Sequence, residues 1–166
     1  SRLAQFINIC QLAYAFKYVY GLVPEHTPVS MIFGRAFHSA ATWLAARRRD
    51  GKPYTVKDAE DFFSEALHAE CKDAEDISFD EDETEDSLDQ QGRKMVECLD
   101  TSWPQDEKVA ETGTVFCVPV VDYTGIAVSD KPICGELDMV TANPGGGNVI
   151  VDWKTSARRW PTDKAA

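Results

Sequence analysis

The chain has 166 residues, 43% of them hydrophobic, and a formal net charge of −11. That length supports one domain with a real core, and that apolar share excludes a disordered chain. No apolar run approaches the ~18 residues needed to span a bilayer, and Ser1–Arg2–Leu3 opens no signal peptide, so a membrane protein is not expected.

Leu3 to Tyr20 reads as a helix, with Leu3, Phe6, Ile7, Cys10, Tyr14 and Val19 roughly on one side and Gly21 and Pro24 ending it. A loop over 21–30 leads to a second helix from about Met31 to Arg49. Its apolar positions Phe33, Phe37, Ala41, Leu44 and Ala45 keep helical spacing. A third helix spans about Val56 to Lys72, with Thr55 or Asp58 available as N-cap. An acidic loop follows, then a fourth helix over about Glu83 to Leu99. The period then changes. Val109 to Asp122 is rich in β-branched residues and reads as a strand. Ile133 to Thr141 is a second strand, the cluster Asn143-Pro-Gly-Gly-Gly-Asn148 a turn, and Val149 to Thr155 a third strand. Helices first and antiparallel strands later predict a mixed α/β domain. Within it, 1–52 forms the N-terminal helices, 53–105 a helical insertion with the acidic loop, and 106–166 a β core. The sequence starts without Met and stops just past the last strand, so it reads as a piece of a longer protein.

The charge is concentrated in one place. Between Asp73 and Asp89 there are ten acids and no Lys or Arg; outside that segment 18 acids face 17 bases, a balance of −1. The segment reads as a solvated loop and helix start that repels phosphate, so nucleic acid would approach elsewhere. The five cysteines, Cys10, Cys71, Cys98, Cys117 and Cys134, are odd in number and contain no CxxC spacing. They read as reduced, mostly buried thiols of a cytoplasmic protein.

The two strands around the Gly-rich turn carry the chemistry. On the first, Glu136, Asp138 and Val140 share a face; on the second, Ile150, Asp152 and Lys154 do, while Val149, Val151 and Trp153 point to the core. An Asp and a Lys on an otherwise apolar strand are costly to bury without a reason. Two converging carboxylates would bind a hard divalent cation, and a lysine beside them would stabilise charge on a phosphate. Convergence needs facing residue numbers that add to an even total. A symmetric six-residue loop over 143–148 gives 291, so the functional reading requires 290 or 292, from an odd loop or a bulge. The alternative is a surface Asp–Lys pair worth under ~1 kcal/mol.

Gly135-Glu-Leu-Asp138 followed by Val149-Ile-Val-Asp152-Trp-Lys154-Thr resembles the core motif of the PD-(D/E)XK nucleases, in particular the RecB-like exonucleases and the CRISPR-associated and phage nucleases allied to them. Gly34-Arg-Ala-Phe-His38 is similar to the Gly–x–x–x–His helix of that branch. Ser1, Phe6, Cys10 and Tyr14 are similar to its earlier helix. The resemblance implies a restriction-endonuclease-like core: a central mixed, largely antiparallel sheet flanked by helices, with an N-terminal helical portion.

It also implies a site. His38, Asp138 and Asp152 would bind Mg²⁺ or Mn²⁺, with the backbone carbonyl of Trp153 as a further ligand. The imidazole makes Mn²⁺ at least as acceptable as Mg²⁺. Lys154 would position the attacking water and, with Asp138 and Asp152, form the catalytic set. Glu136 and Glu111 are accessory candidates, although Glu111 also reads as a surface residue. Arg35, Arg158 and Arg159 are candidates for contact with the DNA backbone. The triplet Arg47-Arg-Arg49 suits either DNA or the negative end of its own helix. The implied partners are single- or double-stranded DNA and a helicase or recombination partner. The chain ends before the helix that bears Gln and Tyr in this branch. Some members bind an iron–sulfur cluster through one early and three late cysteines; Cys10 matches the early one and no late set is present. The competing reading is a nuclease-fold module without activity that serves a binding or structural role.

Overall fold

The computed structural model describes residues 10–143 and 145–156. The first element, α1 (Gln11–Tyr14), continues as a π-helical turn over Ala15–Val19 and stops at Gly21, whose φ is +66°. Leu3, Phe6 and Ile7 of the expected first helix lie outside the described residues, as does Ser1. Cys10 is exposed, not buried: its Sγ accepts the Ala13 N–H at 3.4 Å and caps α1.

Two short strands, β1 (Thr27–Pro28) and β2 (Ile77–Ser78), pair in parallel and bracket two long helices, α2 (Val29–Arg49) and α3 (Val56–Asp73). The acidic loop leads through β2 into α4 (Glu85–Ser102). The starts of α3 and α4 follow from local chemistry. Thr55 caps the first in a reciprocal box with Asp58, and Thr84 caps the second with Ser87, each satisfying backbone N–H groups that have no partner inside the helix.

The helical spacing on α2 becomes the core. Phe33, Phe37, Ala41, Leu44 and Ala45 are buried, joined by Ile32, Ala36 and Ala40. Alanines along one side let the neighbouring elements approach closely. From α3, Phe63 and Leu67 enter the same core, and Val96 does so from α4. Each fully buried large side chain contributes roughly 1.5–3 kcal/mol. Gly92 on α4 is required by the packing: a Cβ there would lie 1.9 Å from Phe63 Cζ.

The sheet has the order β3-β4-β5, antiparallel throughout, with β3 at Lys108–Val118, β4 at Ile133–Ala142 and β5 at Asn148–Val151. Helix α2 packs against β3 and β4. The first strand ends four residues before the expected Asp122, because the chain turns into a hairpin in which Val121 bridges Ala127. The Asp122 carboxylate holds that turn by accepting from the N–H groups of Thr124 and Ile126. The last strand also stops early. It ends at Val151 and not Thr155, so Asp152 and Lys154 are not strand residues. Trp153 is buried and Val151 half-buried, but Val149 is 47% exposed and not core, since β5 is the edge of the described sheet.

Facing residues across β4 and β5 (Met139↔Val151, Val140↔Ile150, Thr141↔Val149, Ala142↔Asn148) each add to 290, which leaves a five-position loop. This is one of the two even totals the convergent reading requires, but the ladder stops at Val151, one residue short of Asp152.

The reading of five reduced, mostly buried thiols is corrected. Cys117 and Cys134 face each other across β3 and β4 with Cα atoms 4.1 Å apart and are joined in a disulfide. Cys98 is exposed and Cys71 half-buried. The pairing arises because antiparallel register places two cysteines, far apart in sequence, directly opposite one another.

Candidate active site

Helix α2 and strand β4 supply the centre of the site. His38 projects from the sheet-facing side of α2, four residues before Thr42 and one turn after Arg35. Its Nδ1 lies 3.4 Å from Asp138 Oδ1, with the two side chains 34% and 17% exposed. That separation is long for an N–H···O hydrogen bond. Two donors each ~2.1 Å from a shared cation stand ~3.0–3.4 Å apart at octahedral to tetrahedral angles, so the pair has the spacing of two ligands.

The other Asp138 oxygen is also held. Oδ2 accepts the backbone N–H of Trp153 at 2.7 Å. Extending the β4–β5 register would place Trp153 opposite Leu137, so this side-chain bond forms where the ladder has ended. It ties the segment after β5 to the Asp138 carboxylate and fixes the orientation of that group.

His38 and Asp138 open into a cavity of about 510 Å³ lined also by Glu136, Ser39, Thr42 and Trp43. Glu136 therefore shares the Asp138 face, as alternation along the strand requires. Opposite Asp138 on β3 lies Gly113 at φ +60°, between Thr112, which faces Met139, and Thr114, which faces Leu137. A side chain there would be strained and would meet Glu136 Oε1 at 3.6 Å and Thr42 Cγ2 at 3.8 Å.

Asp152 and Lys154 sit differently. The Lys154 ammonium donates to Asp152 Oδ1 at 2.7 Å, and both side chains are well exposed, at 58% and 59%. The Asp152 carboxylate is thus turned to its own lysine and does not line the His38 cavity. Among the described residues no three His, Cys, Asp or Glu side chains converge as a metal cluster. The donor types fit a hard divalent cation, and the His38–Asp138 spacing fits it; the third donor is not in place. Trp153 meets Asp138 through its N–H, and nothing in the geometry assigns its carbonyl.

The remaining candidates separate from the centre. Glu111 is exposed beside a bulge in β3 and accepts from the Thr114 hydroxyl at 2.9 Å. Arg35 pairs with Glu70 at 3.2 Å and lines a different cavity together with Glu25, Asp73, Glu75 and Asp76, an acidic surrounding for a phosphate contact. Arg158 and Arg159 lie outside the described residues. Of the arginine triplet, Arg48 is built into the fold. It donates to Tyr54 and Asp100, and its guanidinium lies 4.8 Å from the centre of the Trp103 ring. Burial and the Asp100 carboxylate together push the Tyr54 phenol above its ordinary value.

Sequence reasoning missed Ser39, Thr42, Trp43 and Phe62 as cavity residues. Thr42 was legible in principle, since it follows His38 by four residues on α2, and Ser39 and Trp43 repeat the same four-residue step one position further round the helix. Phe62 was not, because only packing of α3 on α2 brings it there. No helix among the described residues is long and apolar enough to cross a membrane.

No curated protein and no solved structure matches the chain. The profile of the PD-(D/E)XK nuclease superfamily matches it over residues 1–166. The helices and antiparallel three-stranded sheet are consistent with the restriction-endonuclease-like fold of that group. With a match over its whole length, the chain belongs to the PD-(D/E)XK nuclease superfamily.

Proposed function

We propose that this chain is a divalent-metal-dependent nuclease that hydrolyses DNA phosphodiester bonds. We assign it to the RecB-like branch, as an exonuclease of recombination, repair or phage- and CRISPR-related DNA processing. The observation that supports this most is the His38–Asp138 pair, spaced at 3.4 Å beside Glu136 in an open cavity. His38, Asp138 and Asp152 would hold Mg²⁺ or Mn²⁺. The metal would supply a more acidic water and neutralise charge on the phosphate.

The protein's own groups do the rest. The Trp153 N–H orients the Asp138 carboxylate. Lys154, which pairs with Asp152 in the structure, would supply the cation that stabilises charge growing on the phosphate. The substrate is single- or double-stranded DNA in the cytoplasm, delivered by a helicase or recombination partner. In a reducing compartment Cys117 and Cys134 would stand as two thiols.

One observation favours a second reading. Asp152 faces Lys154 and not the cavity, as it would in a nuclease-fold module with a binding or structural role and no activity. Calorimetry with Mn²⁺ on the chain and on Asp152→Ala separates the two. Saturable binding lost in the variant supports the nuclease. No binding in either leaves the inactive module.

A further inference from the structure

Five arginines lie among the described residues, and four are tied to carboxylates. Arg35 pairs with Glu70, Arg48 with Asp100, Arg49 with Asp50, and Arg93 with Asp89 and Asp61. Arg47 forms no ion pair among the described residues. Its guanidinium instead lies 4.8 Å from the centre of the Trp43 ring. Trp43 in turn stacks on Phe62, with centroids 5.4 Å apart and planes 25° from parallel. Trp43, Phe62 and Ala46 line the cavity that holds His38 and Asp138. We propose that Arg47, supported by Trp43 at the rim of this cavity, is a phosphate-binding subsite for the substrate strand; this rests on the nuclease reading.

An arginine lying on an aromatic face keeps its N–H fork free for bidentate contact with a phosphate, while the ring limits the conformations that must be frozen on binding. Asp58 interacts with Arg47 only through its charge, without an ion-pair contact, and its Oδ2 already accepts from the N–H and hydroxyl of Thr55. The other end of the cavity carries Glu136 and Asp138 and repels phosphate. In a chain of net charge −11, a free guanidinium at the opposite end is therefore where the protein itself can hold a backbone. His38 and Arg47 are separated by ~14 Å along α2, on the order of four nucleotides at the axial rise of a duplex.

The test is fluorescence anisotropy of a labelled oligothymidylate in EDTA, where cleavage is absent and the metal ligands play no part. Arg47→Ala should bind about tenfold more weakly at low salt and lose about 0.7 unit of log–log salt slope, the value for one phosphate contact on a single strand. Arg47→Lys should keep the slope and lose affinity severalfold, because the fork is gone. Arg49→Ala, which removes an arginine already paired, should match the unsubstituted chain. If Arg47→Ala unfolds, the Lys variant decides: unchanged affinity overturns the subsite. Equal affinity and slope for the unsubstituted chain and Arg47→Ala overturn it too, while the nuclease reading stands. No oligonucleotide binding by the unsubstituted chain also overturns the subsite, and Mn²⁺-dependent cleavage then tests the nuclease reading separately.

Discussion

The backbone N–H of Trp153 donates to Asp138 Oδ2 at 2.7 Å, while His38 Nδ1 faces Asp138 Oδ1 at 3.4 Å. One carboxylate thus joins helix α2, strand β4 and the segment after β5. Asp138→Ala should abolish Mn²⁺ binding and loosen the 152–156 segment. Asp138→Asn keeps an oxygen for the Trp153 N–H but loses the charge, so it should lose Mn²⁺ binding while retaining the thermal stability of the unsubstituted chain to within about 1 kcal/mol. Calorimetry and thermal unfolding of the two variants check this. Equal Mn²⁺ affinity in Asp138→Asn would count against the carboxylate as a ligand.

Gly92 and Phe63 define how closely α3 and α4 approach. Gly92→Ala inserts a methyl into space already filled by the Phe63 ring. It should destabilise the fold by about 1–3 kcal/mol despite the better helix propensity of alanine. Adding Phe63→Leu should restore part of the loss. Urea denaturation of the single and double variants reads the coupling, and a stabilised single variant would contradict the packing.

Arg48, Tyr54 and Asp100 form a half-buried network, with Tyr54 donating to Asp100 at 2.7 Å and Arg48 to the same carboxylate at 2.8 Å. Asp100→Ala leaves Arg48 the Asp100 carbonyl and the Tyr54 oxygen but removes its carboxylate, and should cost about 1–3 kcal/mol. The network also sets an alkaline limit. The folded-state pKa of Tyr54 is raised, chiefly by burial and then by its bond to Asp100. Its contribution is fully present below the unfolded value near ~10 and is lost as pH rises from there through the folded value. Tyr54→Phe should flatten that alkaline decline in a pH series of thermal unfolding.

Asp50, Asp58 and Asp122 work at the acid end. Each carboxyl is held below its ordinary value: Asp50 by Arg49 and Lys52, Asp58 by the backbone and hydroxyl of Thr55, and Asp122 by Thr124 and Ile126. Stability from these groups is present above the unfolded carboxyl value and is lost as pH falls through the lower folded values. Thermal midpoints should drop below about pH 4, and Asp58→Asn should reduce the part of that drop due to the α3 cap.

Cys117 and Cys134 should be found joined in protein isolated without reductant. Thiol titration of the denatured chain then gives two fewer free groups than after reduction. Cys134→Ser should lower the midpoint of urea unfolding by an amount equivalent to about 3 kcal/mol, the cost expected for opening a loop of this size. Equal thiol counts before and after reduction would show two separate cysteines.

Much of the chain's organisation can be read from local chemistry. The spacing of Phe33, Phe37, Ala41, Leu44 and Ala45 marks the buried side of α2, and Thr55 and Thr84 mark where helices start, because periodicity and capping act within a few residues. The motif around Asp138 and Asp152 likewise points to the superfamily. What tertiary structure alone decides involves partners distant in sequence. Register places Cys117 against Cys134, although neither cysteine signals the other. The β4–β5 ladder stops at Val151, so the backbone pairing no longer sets where Asp152 points, and its carboxylate meets the Lys154 ammonium. Packing of α4 beside α2 brings Asp100 and Trp103 to Arg48, whereas Arg47 on Trp43 and Arg49 with Asp50 find their partners close by in sequence. Charge and hydrophobicity reveal which residues need partners; only the packed chain determines which partners they meet.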